Sequence, residues 1–190
     1  MKKYLILLCL LGQGAFASWF TLEPQDLCEK MGNHHTEEQI ACYQTIKDPA
    51  TFTKENLKFC KTFFENRNDW SLGNLCLTTI KNQKAQDKRW LSYCEDIRDS
   101  RPTKPEKNNS KWSIKCLQEL VDGKLTTASS EKRALCENLK KSNNANYMMT
   151  CVLSSQKPEA TKSCAHLAKQ GFYQKAISCL LHTQGETADI

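Results

Sequence analysis

Apolar residues recur around five pairs of cysteines with the period of a helix. Aligned on Cys28, Cys60, Cys94, Cys136 and Cys164, the preceding residue is Leu27, Phe59, Tyr93, Leu135 or Ser163. The residue three places later is Met31, Phe63, Ile97, Leu139 or Leu167. These positions share one face of an α-helix. Around the second cysteines, Cys42, Cys76, Cys116, Cys151 and Cys179, a similar stripe appears. Two places before them stand Ile40, Asn74, Ile114, Met149 and Ile177, and directly after them Tyr43, Leu77, Leu117, Val152 and Leu180. The alternation of a strand fits neither block. The first cysteines are 32, 34, 42 and 28 residues apart, the range of two-helix repeats.

Breakers and caps lie between the paired cysteines. They are Gly32-Asn33, Asn66-Arg67-Asn68-Asp69, Pro102 and Pro105 with Asn109-Ser110, Ser142-Asn143-Asn144, and Gly171. In the first gap, Thr36-Glu37-Glu38-Gln39 predicts a capping box in which Thr36 and Gln39 satisfy free amides. Each turn sits near the middle of its gap, so cysteines on antiparallel limbs fall at matching heights. Limbs packed ~8–10 Å apart bring such residues within bridging reach. The predicted bridges are Cys28 with Cys42, Cys60 with Cys76, Cys94 with Cys116, Cys136 with Cys151, and Cys164 with Cys179. A rival frame joins Cys42 with Cys60 and so on, but it strands Cys28 and Cys179.

The predicted fold is all-α: five disulfide-clipped helical hairpins stacked as a short solenoid or compact array. Helices of two or three turns are marginal alone. A bridge closing about 15 residues contributes ~3 kcal/mol in the chain-entropy model, so cross-links stand in for part of a core. Stacked hairpins of this period form a curved array whose inner face binds something. Trp19, Phe20 and Leu22 are placed to cover the first hairpin, and Arg98 to Lys111 forms an insertion in the third. The expected organisation is a signal peptide over 1–17, a repeat domain over 18–184 and a flexible tail over 185–190.

From Gln25 to about Thr183, this run of cysteine-clipped helix pairs resembles the cysteine-rich branch of tetratricopeptide-like and Sel1-like repeat proteins. Those are exported arrays whose paired helices are bridged by disulfides. The resemblance implies protein or peptide binding on a concave face and assigns no functional residue.

The N-terminus adds the compartment. Met1-Lys2-Lys3, the apolar run Tyr4 to Leu11 and Ala15-Phe16-Ala17 read as a signal peptide cleaved after Ala17. The expected location is secreted or periplasmic, where an even cysteine set forms disulfides. Zinc ligands and thioredoxin-type sites want closer spacing than the twelve or more residues between neighbouring cysteines here. No later run reaches the ~20 apolar residues of a membrane span. Formal charge is +6, or +4 once Lys2 and Lys3 are removed, which does not suggest a nucleic-acid partner.

Candidate chemistry is sparse. His34-His35, and His166 with His182, lack a third ligand or a catalytic partner at useful spacing. Ser154-Ser155-Gln156-Lys157 has the S-x-x-K form, but neither partner motif occurs. No catalytic residue, cofactor or metal is expected. Trp70, Trp90, Trp112, Tyr147 and Tyr173 read mainly as core between hairpins. Arg98, Arg101, Lys104, Lys107 and Lys111 are the candidate partner-binding residues, although Asp99 and Glu106 interrupt them. The sequence thus favours an exported, non-enzymatic protein that binds a protein or peptide. The alternatives are an inhibitor or immunity-type protein acting through the 98–111 loop, and a cryptic hydrolase around His166 and His182.

Overall fold

Ten α-helices make up a computed structural model that describes residues 22–31, 36–65, 69–100, 109–154 and 158–184. The helices are α1 (Pro24–Glu29), α2 (Thr36–Thr45), α3 (Lys54–Glu65), α4 (Trp70–Ile80), α5 (Lys88–Asp99), α6 (Asn109–Val121), α7 (Ser130–Lys140), α8 (Ala145–Leu153), α9 (Pro158–Lys169) and α10 (Tyr173–Gln184). They pair in order into five hairpins, and no strand occurs among the described residues. Trp19, Phe20, the predicted leader and the tail 185–190 lie outside those residues.

Each hairpin carries one disulfide in the predicted frame: Cys28–Cys42, Cys60–Cys76, Cys94–Cys116, Cys136–Cys151 and Cys164–Cys179. Cα separations are 5.5 Å in the third hairpin and 5.6 Å in the other four, so level limbs supply the distance a bridge needs. Five bridges in a chain of this size suit an oxidising compartment. No helix among the described residues is long and apolar enough to cross a membrane.

Local chemistry sets the helix ends. Asp87 accepts from the Arg89 amide at 2.8 Å, Ser129 from Lys132 at 3.2 Å, and Asn144 from Asn146 and Tyr147 at 3.0 and 3.3 Å. In the fifth turn Gly171 takes φ +85°, and the amides of Gly171 and Phe172 return to the carbonyls of Ala168 and Leu167. The first turn departs from expectation. Thr36 is already helical, and the Gln39 side chain donates to the Cys28 carbonyl at 3.3 Å instead of boxing the start of α2. A bond across the hairpin has displaced a local one.

Hairpins stack so that first helices follow first helices and second follow second. Leu27, Phe59, Phe63, Phe64, Leu77, Ile80, Tyr93, Ile97, Leu117, Leu135 and Leu139 all fall in one continuous core. Trp70 and Trp90 are buried in it, and Trp112, Tyr147 and Tyr173 pack partly buried against it. Single polar bonds tie neighbouring hairpins together. Asn74 Nδ2 donates to the Glu38 carbonyl at 2.9 Å, and Tyr93 Oη to the Met148 carbonyl at 3.3 Å. Fully buried Asn56 donates to the Lys84 carbonyl at 3.1 Å and accepts from the Gln86 amide at 3.2 Å, fixing the link into α5.

Candidate partner-binding surfaces

Charge is divided between the two helix layers. Five of twelve residues in α3, six of twelve in α5 and five of eleven in α7 are Asp, Glu, Lys or Arg. The second helices α4 and α8 contain none, and α2 has none from Gln39 onward. Both layers bury apolar stripes, so the difference lies in what they show to solvent. Of the five exposed large apolar side chains among the described residues, Ile40, Tyr43, Leu75 and Leu153 stand on second helices. Ile40 is 51 % exposed and Leu75 42 %, on helices α2 and α4 that pack side by side. The fifth, Phe172, lies in the last turn with the Lys175 ammonium 5.2 Å from its ring centre.

The faces of α4, α8 and α2 from Gln39 onward are therefore uncharged, their other exposed groups being those of residues such as Gln44, Thr78 and Asn146, while α6 and α10 keep exposed Lys111, Lys115 and Lys175. Interface centres are depleted of charge and enriched in aromatic side chains. The absence of Lys, Arg, Asp and Glu from two whole helices is readable in the sequence, but attention to cysteine-centred stripes passes over it.

The first-helix layer has two hollows. One, of about 370 Å³, lies between α3 and α5, with Phe59 and Leu91 at its floor and Lys54, Glu55, Lys58, Lys88, Ser92 and Glu95 around it. The other is a wider, shallower groove of about 700 Å³ along α7 and α9, lined in part by Ala134, Leu167, Lys162, Lys169 and His166.

Among the sequence candidates, Arg98 is turned inward. Its Nε and a terminal nitrogen donate to Asp99 at 2.8 and 3.0 Å, it donates to the Thr62 hydroxyl, and its guanidinium lies 5.7 Å from the Phe63 ring centre. It closes one end of the α3/α5 seam. Lys111 is exposed on α6, while Arg101, Lys104, Lys107 and His34-His35 lie outside the described residues. His166 and His182 are both exposed; His166 Nε2 lies 3.1 Å from the Gln170 amide. The His166 groove does not include His182 among its lining residues. Ser154 is buried, and its hydroxyl donates to the Cys151 carbonyl at 2.7 Å, which uses it to finish α8.

Two perturbed groups are structural. Burial pushes the Lys132 ammonium below the ordinary lysine range, with Glu119 opposing. Its Nζ donates to the Val152 carbonyl at 3.0 Å and to that of Ser154, where the C-terminal end of α8 favours a cation. Burial works against the charge on Glu119, but bonds from Lys124 at 2.9 Å and Lys115 at 3.4 Å outweigh it and hold the carboxyl below its usual range.

Comparison with protein-family models, curated proteins and solved structures finds no match to this chain.

Proposed function

We propose that this chain is an exported, non-enzymatic helical-repeat protein that holds a protein or peptide partner against its second helices. One observation carries the reading: charge is concentrated on the first helices, while the second helices expose Ile40, Tyr43, Leu75 and Leu153, with no Asp, Glu, Lys or Arg on α4 or α8. A solvated helix ordinarily carries charge on its outer face. Leaving those positions neutral and apolar carries an aggregation hazard unless something covers them. The rigid, cross-linked backbone keeps the ordering cost of binding low. Disulfides, and a signal-like leader ending at Ala17, suit capture outside the reducing cytoplasm.

The test uses the oxidised protein as bait in its native extracytoplasmic fraction, beside a variant carrying Tyr43→Glu and Leu75→Glu. A protein retained by the wild type and lost by the variant supports the reading. Equal recovery by both baits sinks it.

A further inference from the structure

We propose that the cleft between α3 and α5 binds an acidic peptide segment, which inserts one large apolar side chain between the helices and pairs its flanking carboxylates with Lys54, Lys58 and Lys88. This site is on the charged layer and does not depend on the uncharged face.

Side-chain size opens the cleft. Phe59 and Phe63 on α3, with ring centres 5.8 Å apart, face α5, where Leu91 lines the cleft with Phe59 and Arg98 lies over the Phe63 ring. Rings at a helix contact hold the axes apart, and the first helices are loosely packed here. The Arg98–Phe63–Thr62 contacts close the seam toward the helix C-termini. Toward the N-termini it stays open over Phe59 and Leu91. A volume of about 370 Å³ is at the small end of the ~300–1,000 Å³ range of ligand sites, so the occupant is a short segment, not a whole helix.

Charge selects the occupant. Lys54, Lys58 and Lys88 face the cleft with Glu55 and Glu95, and none of the five forms an ion pair within the described residues. The three ammoniums outnumber the two carboxylates. Lys54 and Lys88 are the first residues of α3 and α5, whose N-terminal ends add partial positive charge on the same side. A basic segment would meet these cations unscreened. An acidic one satisfies them, while its apolar residue covers Phe59 and Leu91.

The probe is the capped pentapeptide Asp-Asp-Phe-Asp-Asp, titrated into the full oxidised protein at low salt and followed by backbone amide NMR. Saturable shifts are expected at Lys58, Ser92 and Glu95. The same peptide with a central alanine should bind about tenfold more weakly, because it loses the buried side chain. A Lys-Lys-Phe-Lys-Lys peptide should not bind. Lys58→Glu with Lys88→Glu should lose the acidic peptide and gain the basic one. Lys169→Glu with Lys175→Glu, on the fifth hairpin and outside the cleft lining, changes net charge equally and should leave binding intact. The proposal is overturned by no saturable shift up to about 1 mM, by shifts centred elsewhere, by equal affinity of the alanine peptide, or by equal loss in both double variants.

Discussion

The α3/α5 and α7/α9 seams join the same kind of element, yet one is propped open and the other is tightly closed. At α3/α5, the bulky rings of Phe59 and Phe63 meet Leu91 and Arg98. In α9 the matching length reads Ala160, Thr161, Ser163, Cys164, Ala165 and Ala168, and α7 and α9 approach more closely than any other pair of successive first helices. Interaxial distance follows the size of the residues at the contact. The layer is thus graded by side-chain volume, and its deeper hollow lies where the rings are.

Removing the prop should have the largest effect. Phe63 is 1 % exposed, sits beside Phe59 and lies under the Arg98 guanidinium. Phe63→Ala is expected to lower unfolding free energy by about 3–5 kcal/mol, measured by denaturant titration under oxidising conditions. A loss below 1 kcal/mol would mean that the ring does not hold the seam. The reverse change belongs at the other seam. Ala168 is 1 % exposed on α9, and Ala168→Leu should cost about 1–3 kcal/mol by overpacking. Ser92→Leu adds similar bulk at the open cleft and should stay within about 0.5 kcal/mol of wild type. Equal costs at Ala168 and Ser92 would erase the distinction between the seams.

The residues also show why the sequence revealed one level and withheld the next. Cysteine pairing was legible because covalent geometry tolerates few arrangements, and turns such as Ser142-Asn143-Asn144 and Gly171 centred every gap. The apolar stripes at Leu27, Phe59, Tyr93 and Leu135 were legible because burial imposes a helical period. Contacts between hairpins were not. Arg98 looked like part of a basic loop, and only the position of α5 against α3 turns it onto Phe63 and Thr62. Gln39 was likewise drawn from a local cap to the Cys28 carbonyl by the hairpin closing on it. The cleft depends on which faces of α3 and α5 meet, a distance of about one repeat along the chain that no local pattern encodes.

Acid provides a finer separation, because neither seam is held by a buried carboxylate, whereas α6 is. Glu119 is 6 % exposed and its carboxyl is held below the ordinary glutamate range. A group depressed by folding contributes fully above its unfolded pKa and loses that contribution as pH falls through its folded value. Glu119→Gln should therefore cost about 1 kcal/mol at pH 7, with the difference from wild type shrinking as the pH drops into the acid range. A difference that stays constant on acidification would assign the effect to packing instead of charge.

The smallest expected stability change carries the most functional weight. Ile40 and Leu75 are about half exposed, at 51 % and 42 %, on helices whose bridges and buried stripes face the other way. Replacing both with glutamate removes little buried area, so the unfolding free energy should move by no more than about 0.5 kcal/mol per site. Partner capture should nevertheless fail, since an ionised group placed at a desolvated interface centre costs far more in the complex than in the free protein. Under the proposed function this face differs from both seams in kind: its residues are expected to contribute to binding without contributing to folding. A loss of several kcal/mol from these two changes would show instead that the face is packed within the fold, and the absence of charge from α4 and α8 would then be explained by burial alone.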